Sequence, residues 1–292
     1  MASRPLIVIV GETASGKSAL GLELAKKFEG EIISADSWNV YPGFDIGTAK
    51  PTQRDRQLVK HHLLDIADPI QGFSAAVYKR LANEAIDDIL NRNKIPFLVG
   101  GTGLYVDAVI YNYGFLPKGQ DARRKELNDK TLEELIKIAQ GKKISLEEID
   151  IRNKRRVIRA IESEGQKPVS RPMRPQTLII GMKVTKDQLS NRISQRVDRM
   201  ITAGLEDEVR ILSSKLGWET EPMKGIGYQQ WKEYFEGTQS LEQTRERIVK
   251  ASSGLAKRQR TWFKRNQNIQ WCEQPEQANK LVEHFLSNNL LQ

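Results

Sequence analysis

The sequence predicts an α/β fold, a parallel sheet flanked by helices with a small helical insertion. Three observations carry this expectation. Short apolar runs alternate with helical patterns through the first hundred residues, as they do in βαβ units with right-handed crossovers. Leu6 to Val10 leads into Gly11-Glu12-Thr13-Ala14-Ser15-Gly16-Lys17-Ser18, followed by a helical pattern from Ala19 to Phe28. This G-x-x-x-x-G-K-S run, between a strand and a helix, is the context a phosphate-binding loop requires. From Pro117 to about Pro175 the sequence becomes charged and helix-forming, and Thr177-Leu178-Ile179-Ile180-Gly181-Met182 then reads as a return to the sheet.

The elements follow in order. Leu6 to Val10, Glu31 to Ser34 and Pro96 to Val99 read as buried parallel strands, and Ser74 to Asn93 as a helix with Ser74 as N-cap. In the insertion, Thr131 to Ala139 and Asn153 to Glu164 read as helices, with Ser145-Leu146-Glu147-Glu148 as a capping box between them. Gly165 to Pro175 holds three prolines and a glycine, which end any helix. After the returning strand come Lys186 to Ala203, Glu206 to Leu216, Tyr228 to Glu236 and a long helix from the box Ser240-Leu241-Glu242-Gln243. The expected domains are a P-loop NTPase-like core of residues 1–116 and 175–292, and a helical insertion of residues 117–174.

Charge bears on partners. The 292 residues carry 46 Lys plus Arg against 37 Asp plus Glu, a net charge of +9, which favours a polyanion through long-range attraction and counterion release. Cys272 is the only cysteine, so an intramolecular disulfide is excluded and a reducing compartment is expected. No apolar run approaches membrane-spanning length and no signal-peptide core follows Met1; a cytoplasmic monomer is expected.

In open α/β sheets ligands bind beyond the carboxyl ends of the strands. The phosphate loop follows the first strand, Ala35-Asp36-Ser37 the second and Gly100-Gly101-Thr102-Gly103 the third. Gly11 and Gly16 let the loop curl so that backbone N–H groups face an anion, Lys17 adds a point charge, and Ser18 is placed to ligate magnesium. An ATPase would normally end a strand with an acid that holds the metal, whereas Phe97-Leu98-Val99 runs into glycines and Thr102. Asp36 is the best carboxylate for proton abstraction, and position alone leaves equal room for a loop-stabilising aspartate.

Together the blocks Ile32-Ile33-Ser34-Ala35-Asp36-Ser37, Asp45-Ile46-Gly47-Thr48-Ala49-Lys50-Pro51, Gly100-Gly101-Thr102-Gly103-Leu104-Tyr105, Gly225-Ile226-Gly227-Tyr228 and Lys257-Arg258-Gln259-Arg260-Thr261-Trp262-Phe263 resemble the tRNA dimethylallyltransferases, also called tRNA isopentenyltransferases. The resemblance covers nearly the whole chain, in family order. It implies transfer of a dimethylallyl group from dimethylallyl diphosphate to N6 of the adenosine 3′-adjacent to the anticodon, position 37, with release of diphosphate. Gly11, Thr13, Ala14, Ser15, Gly16, Lys17 and Ser18 would then hold diphosphate with Mg2+, Asp36 would take the amine proton, and Thr102 would position the reactants. Arg124, in Arg124-x-x-Leu127, matches a family arginine for diphosphate or tRNA, and equally suits a solvated surface. The target base must be flipped out of the anticodon loop, and Ser37, Trp38 and Asn39 are placed to receive it.

The chain departs from the family at Asn39, where a glutamine is usual, at Trp38, where a flexible apolar residue is usual, and at Asn153, where an aspartate is usual. Trp38 is open to two readings, stacking on a nucleotide or packing in the core. For the anticodon stem, two basic clusters stand out: Arg152, Lys154, Arg155, Arg156 and Arg159 in the insertion, and Arg247, Lys250, Lys257, Arg258 and Arg265 on the C-terminal helix, where Trp262 and Phe263 read as core anchors. Two other activities share the phosphate loop: a prenyltransferase for free adenylate, which needs neither cluster, and a P-loop nucleotide kinase.

Overall fold

The structure is a computed structural model that describes residues 4–116, 121–147, 149–166 and 171–290. The chain forms two compact units, Met1–Ile110 with Met173–Gln292, and Tyr111–Pro172. At the centre of the first is β1 (Leu6–Gly11), buried along its whole length, as a strand covered on both faces must be. Around it, β2 (Glu31–Ser34), β3 (His61–His62), β4 (Pro96–Gly100), β5 (Thr177–Met182) and β6 (Ile269–Cys272) complete a six-stranded sheet in the order β3-β2-β4-β1-β5-β6. Every pairing is parallel. Register places Val10 opposite Gly100 and Gly181, and Ser34 opposite Val99, so the segments that leave β1, β2 and β4 emerge at one edge.

Helices α1 (Lys17–Lys27), α2 (Gln53–Leu58), α3 (Ala75–Asn91) and α4 (Gly103–Ile110) accompany the first four strands. Ser74 caps α3 by accepting the Val77 N–H, as expected. One hydrophobic core joins the sheet to α1 through Ile7, Ile9, Leu20, Leu24, Phe97 and Ile180. Tyr111–Pro172 contains α5 (Asp121–Asp129), α6 (Leu132–Gly141) and α7 (Lys154–Glu162), with its own core of Leu127, Leu135, Val157, Ile158 and Ile161. Back in the first unit are α8 (Lys186–Thr202), α9 (Leu205–Leu216), the short α10 (Lys232–Phe235), α11 (Leu241–Phe263) and α12 (Pro275–Leu290).

Two expected elements differ. Ser145 to Glu147 is not helical, and Glu148 lies outside the described residues. Here the Ile149 N–H donates to the Leu146 carbonyl and the Asp150 carboxylate accepts the Arg152 N–H; these local turns compete with a helix, which starts only after Asn153 accepts the Arg156 N–H. The single helix expected from Tyr228 to Glu236 is a 3-10 turn, Gln229–Trp231, followed by α10. Gly227 has φ +94 and donates its N–H to Gln230 Oε1, so the chain enters this segment through a side-chain-closed turn.

Candidate active site

The phosphate loop is held open as an anion cradle. Ala14 (φ 61) and Gly16 (φ 96) are left-handed, the alternation that turns consecutive N–H groups to one side. A Cβ on Gly11 would come within 2.7 Å of Ser15 Oγ, so a side chain there would have to displace the Ser15 hydroxyl. Gly16 caps α1 without a side-chain bond, which leaves the helix N-terminus for a ligand. Ser15 Oγ is buried with no partner among the described residues, and Ser18 is exposed in the first helical turn. Lys17 Nζ donates to the Glu12 carbonyl at 3.2 Å. Burial, helped by the charge of Arg196, pushes the Lys17 ammonium down to about 8, with Asp36 and Glu12 opposing.

Four residues from distant helices brace this loop. Arg196 on α8 donates to Thr13 Oγ1 (2.9 Å) and to the Thr48 carbonyl (3.2 Å), and Arg192 donates to the Ser15 carbonyl (3.2 Å). On α11, Arg260 forms a two-pronged ion pair with Glu12, and Gln259 Oε1 accepts the Thr13 N–H at 2.7 Å. None of the four stood out in the sequence as a site residue. The only available signal was the family block that contains Gln259 and Arg260; Arg192 and Arg196 are spaced one helical turn apart, which marks one face of a helix but not what the face meets.

Asp36 and Thr102 come together at the edge formed by β2 and β4. The Thr102 N–H donates to the Ala35 carbonyl (3.1 Å), and Thr102 Oγ1 accepts the Ser37 N–H (3.1 Å). A Cβ on Gly100 would lie 2.2 Å from the Ala35 carbonyl oxygen, so glycine is what permits this approach. Asp36 is half-buried, and its Oδ1 accepts the Trp38 N–H at 3.0 Å. The Trp38 indole donates to the Pro222 carbonyl (2.9 Å) and packs with a buried cluster around Tyr41, Phe44 and Tyr228. Asn39 is buried; its amide donates to Ser34 Oγ at 3.3 Å, and its Oδ1 has no partner among the described residues.

A second loop, Phe44 to Lys50, is fixed beside these. Glu208 on α9 accepts the N–H groups of Asp45, Ile46 and Gly47 and the Tyr228 hydroxyl. Lys50, with its side chain 1% exposed, donates to the Tyr41 carbonyl and pairs with Asp45 and Asp65. A buried cation so fully partnered is a structural group.

The basic residues divide by partner. On α11, Lys257, Arg258 and Lys250 are exposed and Arg247 is engaged by Gln239 and Glu233; just past its end, Arg265 stacks over the Trp262 ring at 4.6 Å. Phe263 is buried and the Trp262 indole donates to Asp107, so both anchor the helix. A cleft of about 650 Å³ opens beside α11, lined by Trp218, Lys224, Gln229, Lys232, Arg247 and Lys250 among others, and none of its lining comes from the phosphate loop. In the Tyr111–Pro172 unit, Arg155 and Arg156 are exposed on α7, Arg159 donates to the Leu116 carbonyl, and Arg124 pairs with the buried Glu162 at 3.3 Å.

Among the described residues no three His, Cys, Asp or Glu side chains gather as metal ligands. The Ser18 hydroxyl, exposed in the first turn of α1, and the oxygens that a bound diphosphate would bring suit magnesium, which keeps most of its ligands as water and phosphate oxygens. No helix among the described residues is long and apolar enough to cross a membrane.

A parallel sheet with a phosphate loop after its central strand, and with a hydroxyl rather than an acid beyond β4, defines a P-loop-type transferase. Comparison with known proteins narrows this. The sequence profile described as IPP transferase matches residues 39–266. The tRNA dimethylallyltransferase of Oceanobacillus iheyensis is 39% identical over 97% of this chain and 96% of its own, and that of Pelotomaculum thermopropionicum is 41% identical over 92% and 90%. The solved full-length tRNA isopentenylpyrophosphate transferase of Bacillus halodurans superposes with a TM-score of 0.76 at 35% identity, covering 98% of this chain and 97% of that one. The chain belongs to the IPP transferase family.

Proposed function

We propose that the protein transfers a dimethylallyl group from dimethylallyl diphosphate to N6 of adenosine 37, 3′ to the anticodon of a tRNA. The observation that carries this reading is the edge itself, where Lys17 and the uncapped N-terminus of α1 offer positive charge, while Asp36 and Thr102 stand at the ends of β2 and β4 with no hydrolytic acid after β4. The relatives' names supply the acceptor.

The loop from Gly11 to Ser18 grips the diphosphate, with Lys17 and Arg196 balancing its charge. As the allylic carbon–oxygen bond breaks, its electron pair leaves with the diphosphate, and donors already aimed at that group stabilise it most when the charge is greatest. Ser18, with the diphosphate oxygens, would hold magnesium, which would supply further charge neutralisation. The adenine N6 forms the new carbon–nitrogen bond and loses a proton to Asp36. Asp36 Oδ1 is held by the Trp38 N–H, which leaves Oδ2 to take it. An exocyclic adenine amine is a weak nucleophile, so orientation supplies much of the rate. Thr102, tied to Ser37, fixes the spacing between the base side and the diphosphate side.

The insertion of residues 117–174, with Arg124, Arg155, Arg156 and Arg159, and the exposed Lys257 and Arg258 of α11 bind the anticodon stem-loop. The exposed Arg155 and Arg156 of α7 and the exposed Lys257 and Arg258 of α11 favour a polynucleotide over free adenylate. Labelled dimethylallyl diphosphate is incubated with tRNA, with AMP, or with neither, and labelled ATP is tested separately. Nucleoside mass analysis of the tRNA should show N6-isopentenyladenosine. Transfer to AMP alone, or phosphoryl transfer from ATP without prenyl product, would overturn the reading.

A further inference from the structure

We propose that Gln259 is a positioning residue that sets the distance between the diphosphate loop and the Thr102 turn. Its carboxamide lies between the two. Oε1 accepts the Thr13 N–H at 2.7 Å, and Nε2 donates to the Gly101 carbonyl at 3.0 Å. Gln259 is buried, at 8% exposure, so both bonds are shielded from water and neither half of the amide has an alternative partner in solvent. The contact dictates the sequence opposite it, since a Cβ on Gly101 would lie 2.3 Å from Gln259 Nε2.

The bridge changes what the phosphate loop can do. In such a loop each inward N–H is a potential anion donor, yet here the Thr13 N–H is committed to Gln259 and the Ser15 N–H to the Glu12 carbonyl. Diphosphate is therefore left to the Ala14 N–H, the N–H groups from Gly16 onward, Lys17 and the hydroxyls. That seats it toward the α1 end of the loop, on a line set by Gln259. The same turn of α11 grips both partners again, through Arg260 on Glu12 and through Trp262, whose ring lies 2.2 Å from where a Gly103 Cβ would be. One rigid helical turn thus spans the leaving-group loop and the turn that carries Thr102, and Gln259 is the only one of its residues bonded to both.

This inference rests on the prenyl-transfer reading for its kinetic consequence and on geometry alone for its binding consequence. The variant is Gln259→Met, unbranched and of similar length, with Gln259→Glu as a second that keeps the shape but loses the donor to Gly101. At a temperature well below melting, kcat/KM for prenyl transfer should fall about 10- to 100-fold, the scale of a misplaced reacting pair, and tRNA affinity should stay within about twofold because Lys257 and Arg258 are untouched. In a Thr102→Ala background the further loss of kcat should shrink, since the residue through which Gln259 acts is already gone. Inorganic diphosphate, titrated into the full chain, should bind about tenfold more weakly to Gln259→Met whatever group the enzyme transfers, because losing the tie that fixes the loop outweighs the one N–H freed at Thr13. Values of kcat, KM and diphosphate affinity within twofold of the parent in whichever variant folds would overturn the proposal, as would full additivity with Thr102→Ala. A parent enzyme that transfers no prenyl group, yet whose diphosphate affinity drops in the variant, would sink the functional reading and leave the bridge standing.

Discussion

Asp36 has two oxygens open to different roles, one bonded in the structure and one proposed to take a proton. Oδ1 closes a turn by accepting the Trp38 N–H, the loop-stabilising role that the sequence left open, whereas proton abstraction needs a carboxylate. Asp36→Asn keeps the first and removes the second. We expect kcat to fall by roughly 10²- to 10⁴-fold, the usual value of a general base, with tRNA affinity and melting temperature unchanged. Near-parental turnover would make Asp36 a turn residue only. Lys17 gives a pH signature. Its folded pKa is lowered to about 8, and diphosphate binds the charged form, so affinity is complete below pH 8 and declines as pH rises through it. The KM for dimethylallyl diphosphate should climb by at most about tenfold per unit above pH 8 and stay level in Lys17→Arg, which remains charged. A flat profile in the parent enzyme would show that bound diphosphate is not read by Lys17. At this scale the sequence exposed the residues that lie in short motifs, Lys17, Asp36 and Thr102. It hid Arg196, Glu208 and Gln259, because each reaches the site from a helix more than a hundred residues away from the loop it braces, and helical spacing does not say which loop a helix faces.

The elements show the same division between local and remote causes. β1, β4 and β5 were legible because strands buried on both faces are apolar throughout. β3 has two residues, and β6 alternates buried ends with exposed Gln270 and Trp271, so neither edge strand forms a run long enough to read. The false capping box at Ser145 shows the converse, a correct local signal that neighbouring turns override. α11 is the element on which the candidate site depends, because its last turns touch both the phosphate loop and the turn that carries Thr102. Gly103→Ala tests that packing directly. The new Cβ would meet the Trp262 ring at 2.2 to 2.5 Å, and the indole is held by Asp107 at 2.8 Å and by Arg265 stacked over the ring, so it has little room to yield. Overpacking of this kind costs about 1–3 kcal/mol. Chemical denaturation should show that loss in the parent background and a smaller one when Trp262→Ala removes the obstacle; equal losses in both would mean that the glycine serves the start of α4 rather than the contact with α11.

For the whole molecule, net charge of +9 is spent unevenly. Glu31 is buried among Arg92, Lys94 and His62, and hydrogen bonding to Arg92 holds its carboxyl well below the usual range; Arg92 and Lys94 are thereby engaged and are not available to a polyanion. Lys50 and Arg260 are likewise committed to carboxylates. The charge that remains open includes Lys250, Lys257 and Arg258 on α11, and Arg156 on α7, so the net charge overstates the cations available to a polyanion. If Lys257 and Arg258 each neutralise one phosphate, their double alanine variant should lower the slope of log affinity for tRNA against log salt by nearly 2 in magnitude, at about 0.9 per phosphate on a duplex stem. The KM for dimethylallyl diphosphate should not change, because neither side chain bonds to the phosphate loop, and turnover at saturating tRNA should persist. An unchanged slope would assign this face to solvent, and tRNA binding would then rest on the cations of α7 and on the cleft beside Lys224 and Lys232.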